Sequence, residues 1–199
     1  MKRAALACGV ALVAAGWALS GMGMTGHMAA HMIAVAVAAP VLAFALTAGP
    51  ADPARHWPRV VTPMGMMLLE LVTVWGWHLP AMRRMADASP LIALAELGNF
   101  LVAGVLLWSA VMHTSHRAAG IGALLLTSMH MTLLGALIGL APRPLYPSMH
   151  HAMPPFGLDP LSDQQLGGVV MLVVGGASYF LGGLAILAGL LRDTRRPST

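Results

Sequence analysis

Apolar residues along this chain fall in long unbroken runs, not in alternation with polar ones. Six runs stand out: Ala4 to Ser20, Met28 to Thr47, Val60 to Trp77, Leu91 to Met112, Ala119 to Leu140 and Leu166 to Leu191. A helix rises about 1.5 Å per residue, so about 20 apolar residues cross a hydrocarbon layer of roughly 30 Å. Each run is far longer than a strand and rich in Ala, Leu, Gly and Met, which excludes strands. The pattern predicts an all-α polytopic transmembrane helix bundle of about six spans, forming one domain over residues 1–199. Within it, residues 1–20 are the first span, 21–191 the rest of the bundle and 192–199 a basic tail. Pro40 predicts a kink in the second span, and the Pro-rich stretches Pro50 to Pro58 and Pro142 to Pro160 predict loops. Lys2-Arg3, a short Ala-rich run and Ala18-Leu19-Ser20 also fit a cleavable signal peptide, which would leave five spans.

Composition agrees with the pattern. Apolar residues make up 58% of the 199 and charged residues 9%, against roughly 45–50% and about 25% in soluble domains. The mean hydropathy is +0.76. A soluble fold and a disordered chain are both excluded. With the amino terminus inside, Lys2, Arg3, Arg55, Arg59, Arg117, Arg192, Arg195 and Arg196 lie in the cytoplasm, and Arg83, Arg84 and Arg143 lie outside. The positive-inside rule therefore puts both termini in the cytoplasm. The net charge of +4 is accounted for by topology, and no nucleic-acid partner is implied. The single cysteine, Cys8, offers neither a disulfide nor a thiolate metal site. No phosphate loop, nucleophile elbow or metalloprotease helix motif is present, so the reading is of a non-enzyme.

The excess of 16 Met and 9 His has a side. In Met22-Gly-Met-Thr-Gly-His-Met-Ala-Ala-His-Met32, His27 and His31 are four apart, as are Met24 and Met28, and Met28 and Met32. On a helix such pairs share a face. Imidazole and thioether without thiolate is a soft-to-intermediate donor set that favours copper, Cu(I) above all; the alternative is packing, methionine's commonest role. His150 and His151, bracketed by Met149 and Met153, form a second outer group, while His113 and His116 beside Arg117 read as a solvated inner loop. Ionisable groups within the spans are costly unless satisfied. Glu70 and His130 lie mid-span, and a pair between them would satisfy both. Glu96 and Asn99, with His78, either close a polar pocket in the outer half of the bundle or hold helices together.

These residues resemble the multi-span CtaG-type assembly factors of caa-type cytochrome c oxidases. The resemblance is carried by His27-Met-Ala-Ala-His31-Met32 entering a helix with Ala39-Pro40, by Trp77-His78-Leu79-Pro80, and by Glu96 ahead of Trp108. It continues in Met129-His130 before Leu134-Gly135, in Ala141-Pro-Arg-Pro-Leu-Tyr146, and in Asp163-Gln-Gln-Leu-Gly-Gly168 with Met171. It implies a bacterial inner-membrane protein serving haem–copper oxidase assembly through copper insertion, with oxidase subunits and periplasmic copper chaperones as partners. It also implies importance for His27, His31, His78, His130, Glu96, Asp163 and Gln164, the last two orienting a ligand histidine or capping their own helix. The expected metal set is His27, Met28, His31, His78 and His130, with Met24, Met32, His150 and His151 supporting it, and copper is held transiently with the cluster facing the periplasm. The alternatives are a redox protein holding b-type haem between facing histidines and, less well supported, a copper permease.

Overall fold

The computed structural model describes residues 1–146 and 154–194. Among these residues it is all helical, with eight helices. They are α1 (Lys2–Leu19), α2 (Gly23–Leu46), α3 (Pro53–His56), α4 (Pro63–Trp77), α5 (Pro80–Ala88), α6 (Pro90–His113), α7 (Arg117–Gly139) and α8 (Pro160–Arg192). Five of them, α1, α2, α6, α7 and α8, are long and apolar enough to cross a membrane. The third expected span is shorter than the sequence predicts. Proline at the first helical position and the Thr62 hydroxyl, accepting from the Gly65 amide at 3.3 Å, start α4 at Pro63 and not at Val60. Its 15 residues span about 22 Å.

Contact register nevertheless shows that α4 carries the chain back across the bundle. His31 faces Glu96, and eight residues further along both helices a Cβ at Gly104 would stand 2.8 Å from Ala39 Cβ, so α2 and α6 run parallel. A chain with two parallel neighbours must return between them, and α4 is that return. In α1, Gly16 lies against Ala30 and Ile33 and Gly9 against Leu42, which makes α1 antiparallel to α2. Helices α7 and α8 are also antiparallel. They pack closest where Gly135 and Gly139 meet Gly168: a Cβ there would stand 2.7 Å from Gly135 O, the small-residue contact by which membrane helices approach.

Pro40 acts through hydrogen bonding. It has no N–H for Ala36 O, and Ser178 Oγ of α8 donates to that carbonyl at 2.6 Å. Over Ile33–Ala38 the helix widens to a π-turn, in which the Ala39 amide donates to Ala34 O. Val35 O is thereby released and accepts from Tyr179 Oη at 2.9 Å. Tyr179 also bonds to Glu70 Oε1. The expected Glu70–His130 pair is not formed: Glu70 bonds to Tyr179 through Oε1, and its Oε2 has no hydrogen-bond partner among the described residues. His130, on α7, is buried with no hydrogen-bond partner among the described residues.

At the end of the bundle away from His27, Asp52 organises the turn between α2 and α4. It accepts from the Ala48 amide at 2.7 Å, the Ala54 amide at 3.2 Å and Ser109 Oγ at 2.8 Å, and His113 Nε2 stands 3.2 Å away. His113 is therefore a partner of this buried carboxylate, not simply part of a solvated loop. Burial pushes the Asp52 pKa up, but the bonds from Ser109 and Ala48 and the charge of His113 outweigh it and hold the group below its usual range. A depressed carboxylate contributes its stability above the unfolded pKa of about 4 and loses it as pH falls through the folded value. Asp52→Ala should lower the unfolding free energy in detergent by about 2 kcal/mol at neutral pH. It should also flatten the acid-side loss of stability seen in wild type, as followed by thermal unfolding from pH 7 to 3.

Candidate metal centre

Two neighbouring residues of α8 build the two halves of the site. The Asp163 carboxylate accepts from the first amides of α2, Met24 N at 2.6 Å and Thr25 N at 3.0 Å, and its carbonyl accepts from Thr25 Oγ1 at 3.1 Å. An anion at a helix N-terminus satisfies amides that have no partner within the helix. Gly23 permits this approach: its φ is +65°, and a Cβ there would run into the Asp163 carboxylate. Asp163 thus caps a different helix from the one expected, since α8 is capped by Asp159 through the Leu161 and Ser162 amides. Gln164 braces the other half. Its Oε1 accepts from Leu145 N at 2.6 Å and its Nε2 donates to Ile138 O at 3.2 Å. The next residue, Tyr146, donates its hydroxyl to His78 O at 2.9 Å. Neither Asp163 nor Gln164 has a hydrogen bond to a histidine among the described residues; each holds the backbone that carries one.

One turn into α2, His27 and His31 share a face, with ring centroids 3.9 Å apart at 65°, and His31 lies against Phe100 at 4.1 Å. From α6, Glu96 directs Oε1 at both: 3.8 Å to His27 Nε2 and 3.6 Å to His31 Nε2. One ligand atom from each of the three lies within 4.8 Å of the others, and all three residues are buried. Glu96 Oε1 and His31 Nδ1 have no hydrogen-bond partner among the described residues. Buried polar atoms rarely go unpaired.

Beside this triad is a second pair. His78, which follows the last residue of α4, is buried against Met28. His78 Nδ1 donates to Val74 O at 2.6 Å, which leaves Nε2 as the lone-pair nitrogen, and Nε2 faces Met28 Sδ at 3.4 Å. Two lone pairs oppose each other there. Nitrogen and sulfur ligands of one tetrahedral ion, with bonds of about 2.0 and 2.3 Å, stand about 3.5 Å apart. The His78 ring centroid is 5.9 Å from that of His31, so His31 adjoins both groups.

The other expected residues are dispersed. Met24 and Met32 are buried against Gly167 and Gly175 of α8 and serve there as packing. His130 and Glu70 are not in the triad, and Asn99 faces outward, exposed. His150 and His151 lie outside the described residues.

Sequence reasoning missed Arg83, which it had placed in an exposed outer loop. The short helix α5 turns Arg83 back into the site, buried, with Nη1 2.8 Å from Glu96 Oε2 and 2.9 Å from both ring nitrogens of His27. The available signal was Asp87 four residues on, an i, i+4 ion pair in a segment with a strongly polar face.

Comparison with known families decides the membership. A model described as cytochrome c oxidase caa3 assembly factor matches residues 4–193. The chain belongs to that family. No curated protein and no solved structure matches it. The match reaches every helix of the assembly factor, including α1, whose Trp17 lines, with Ser20 just beyond the helix, a cleft of about 260 Å³ that includes His27, His31 and Glu96. Asp163→Ala should cost about 2 kcal/mol, the worth of a charged helix cap in a buried setting. Hydrogen exchange should show the loss as faster exchange confined first to the opening turn of α2.

Proposed function

We propose that this assembly factor carries Cu(I) to a nascent haem–copper oxidase subunit and acts as a binding protein without catalysis. The observation that carries the reading is the convergence of His27, His31 and Glu96 from two helices, with the Met28–His78 pair adjoining through His31. Three imidazoles, a thioether and one carboxylate form a donor set for a soft or borderline ion, and for no hard one. Capture takes place at His27 and His31, which the cleft reaches first. Transfer to Met28 and His78 then proceeds by ligand exchange, with His31 common to both sites. A closed four-ligand cage would hold copper too well for delivery, whereas two adjoining partial sites hold it loosely.

The topology fits delivery on the side where α1 ends and α2 begins, which the arginine distribution puts at the periplasmic face of the bacterial inner membrane. There the clients would be the oxidase's copper-binding subunits and the donors periplasmic copper chaperones. A permease reading would require ligands to continue to the inner face through Met64, Met66, Met67 and Met112; of these Met64 and Met112 are exposed and Met66 and Met67 are buried.

Anaerobic titration of the purified protein with Cu(I) against a chromogenic chelator tests the proposal. Wild type should bind close to one equivalent, and His27→Ala/His31→Ala should weaken binding by about 100-fold, the upper range for losing supporting groups at a metal site. Equal stoichiometry and affinity in the two proteins would remove the capture role.

A further inference from the structure

Among the described residues Arg83 is the only buried Lys or Arg, and its guanidinium is divided between two carboxylates. Nε and Nη2 lie 2.9 and 2.8 Å from Asp87 Oδ1, toward the outer surface. Nη1 alone reaches inward, to Glu96 Oε2 at 2.8 Å and to the His27 ring. Those inner contacts are to two of the three residues whose ligand atoms converge.

A guanidinium keeps its charge throughout the accessible pH range and has no lone pair to offer a metal. While Nη1 remains in place it neutralises Glu96 and repels a second cation a few ångströms away in a medium of low dielectric. If it left with nothing replacing it, Glu96 would be a bare carboxylate in the bundle, which is costly. One cation in that position at a time is the arrangement electrostatics favours. We propose that Arg83 is a built-in surrogate cation which an incoming Cu(I) displaces from Glu96 and His27, pivoting on its tether to Asp87 into the cleft.

Metal binding is then an exchange of like charge for like charge and not an addition. Affinity is reduced by the cost of moving the guanidinium outward, and release is assisted by its return. The cleft of about 260 Å³, bounded by Trp17, Ser20, Ala86 and Asp87, supplies the room. No bond is made or broken in Arg83 and no electron moves; only ionic and coordinate contacts are exchanged. The inference rests on the copper reading above and adds its regulation.

Two opposite substitutions test it in the same Cu(I) competition assay. Arg83→Gln removes the competing charge and should tighten Cu(I) binding by about tenfold or more. Asp87→Asn releases the outer tether and lets the guanidinium settle fully inward, so it should weaken binding. Arg84→Gln removes the same formal charge from an exposed position on the same helix and should leave affinity unchanged. If wild type binds copper through His27 and His31 but Arg83→Gln binds equally or more weakly, Arg83 is a structural brace and the surrogate role is overturned while the copper reading stands. Should Arg83→Gln fail to fold, the assay turns on Asp87→Asn, where unchanged or tighter binding overturns the role. If no protein in the set binds Cu(I), the copper reading falls and takes this inference with it.

Discussion

From a separate helix, the Asp163 carboxylate accepts the Met24 and Thr25 amides in the first turn of α2, and the placement of the site follows from that contact. A helix that begins in the membrane must find partners for its opening N–H groups within the protein, because hydrocarbon supplies none. With Asp163 in that role, the first turn of α2 is fixed against α8, and His27 and His31 are fixed one and two turns beyond it. Gln164, the next residue, performs the matching service for the loop whose Tyr146 holds the end of α4. One turn of α8 therefore sets both imidazole groups relative to each other.

The same constraint explains the interior irregularities. Pro40 removes a donor and the π-turn of α2 frees a carbonyl, and α8 answers both with Ser178 and Tyr179. At the end of α4 the His78 carbonyl is held by Tyr146, and its ring lies against Met28. Hydrogen-bond satisfaction and site construction are here one problem solved by one set of residues.

Much of this was legible in the chain. The apolar runs carry the helices, since length and composition decide what spans a membrane, and the i, i+4 spacing of His27 and His31 places them on one face. The family resemblance, resting on motifs scattered over the chain, agrees with the family match across nearly its whole length. Pairing between helices was not legible, because nothing in one apolar helix names its neighbour. Glu70 was expected beside His130 and lies with Tyr179, a residue with no local signal. Asp163 was read as a cap for its own helix because capping rules are local, whereas here the cap acts across 139 residues of sequence. Arg83 was read as a topology charge, since the burial of a short outer helix depends on the tertiary fold.

At the centre of the account is a Cu(I) ion held by histidine nitrogen together with the Met28 thioether. X-ray absorption at the copper edge of the Cu(I)-loaded protein addresses this directly. The account predicts nitrogen or oxygen neighbours near about 2.0 Å and a single sulfur near about 2.3 Å, with the sulfur contribution lost in Met28→Leu. A wild-type spectrum without sulfur, or one unchanged by Met28→Leu, would contradict it.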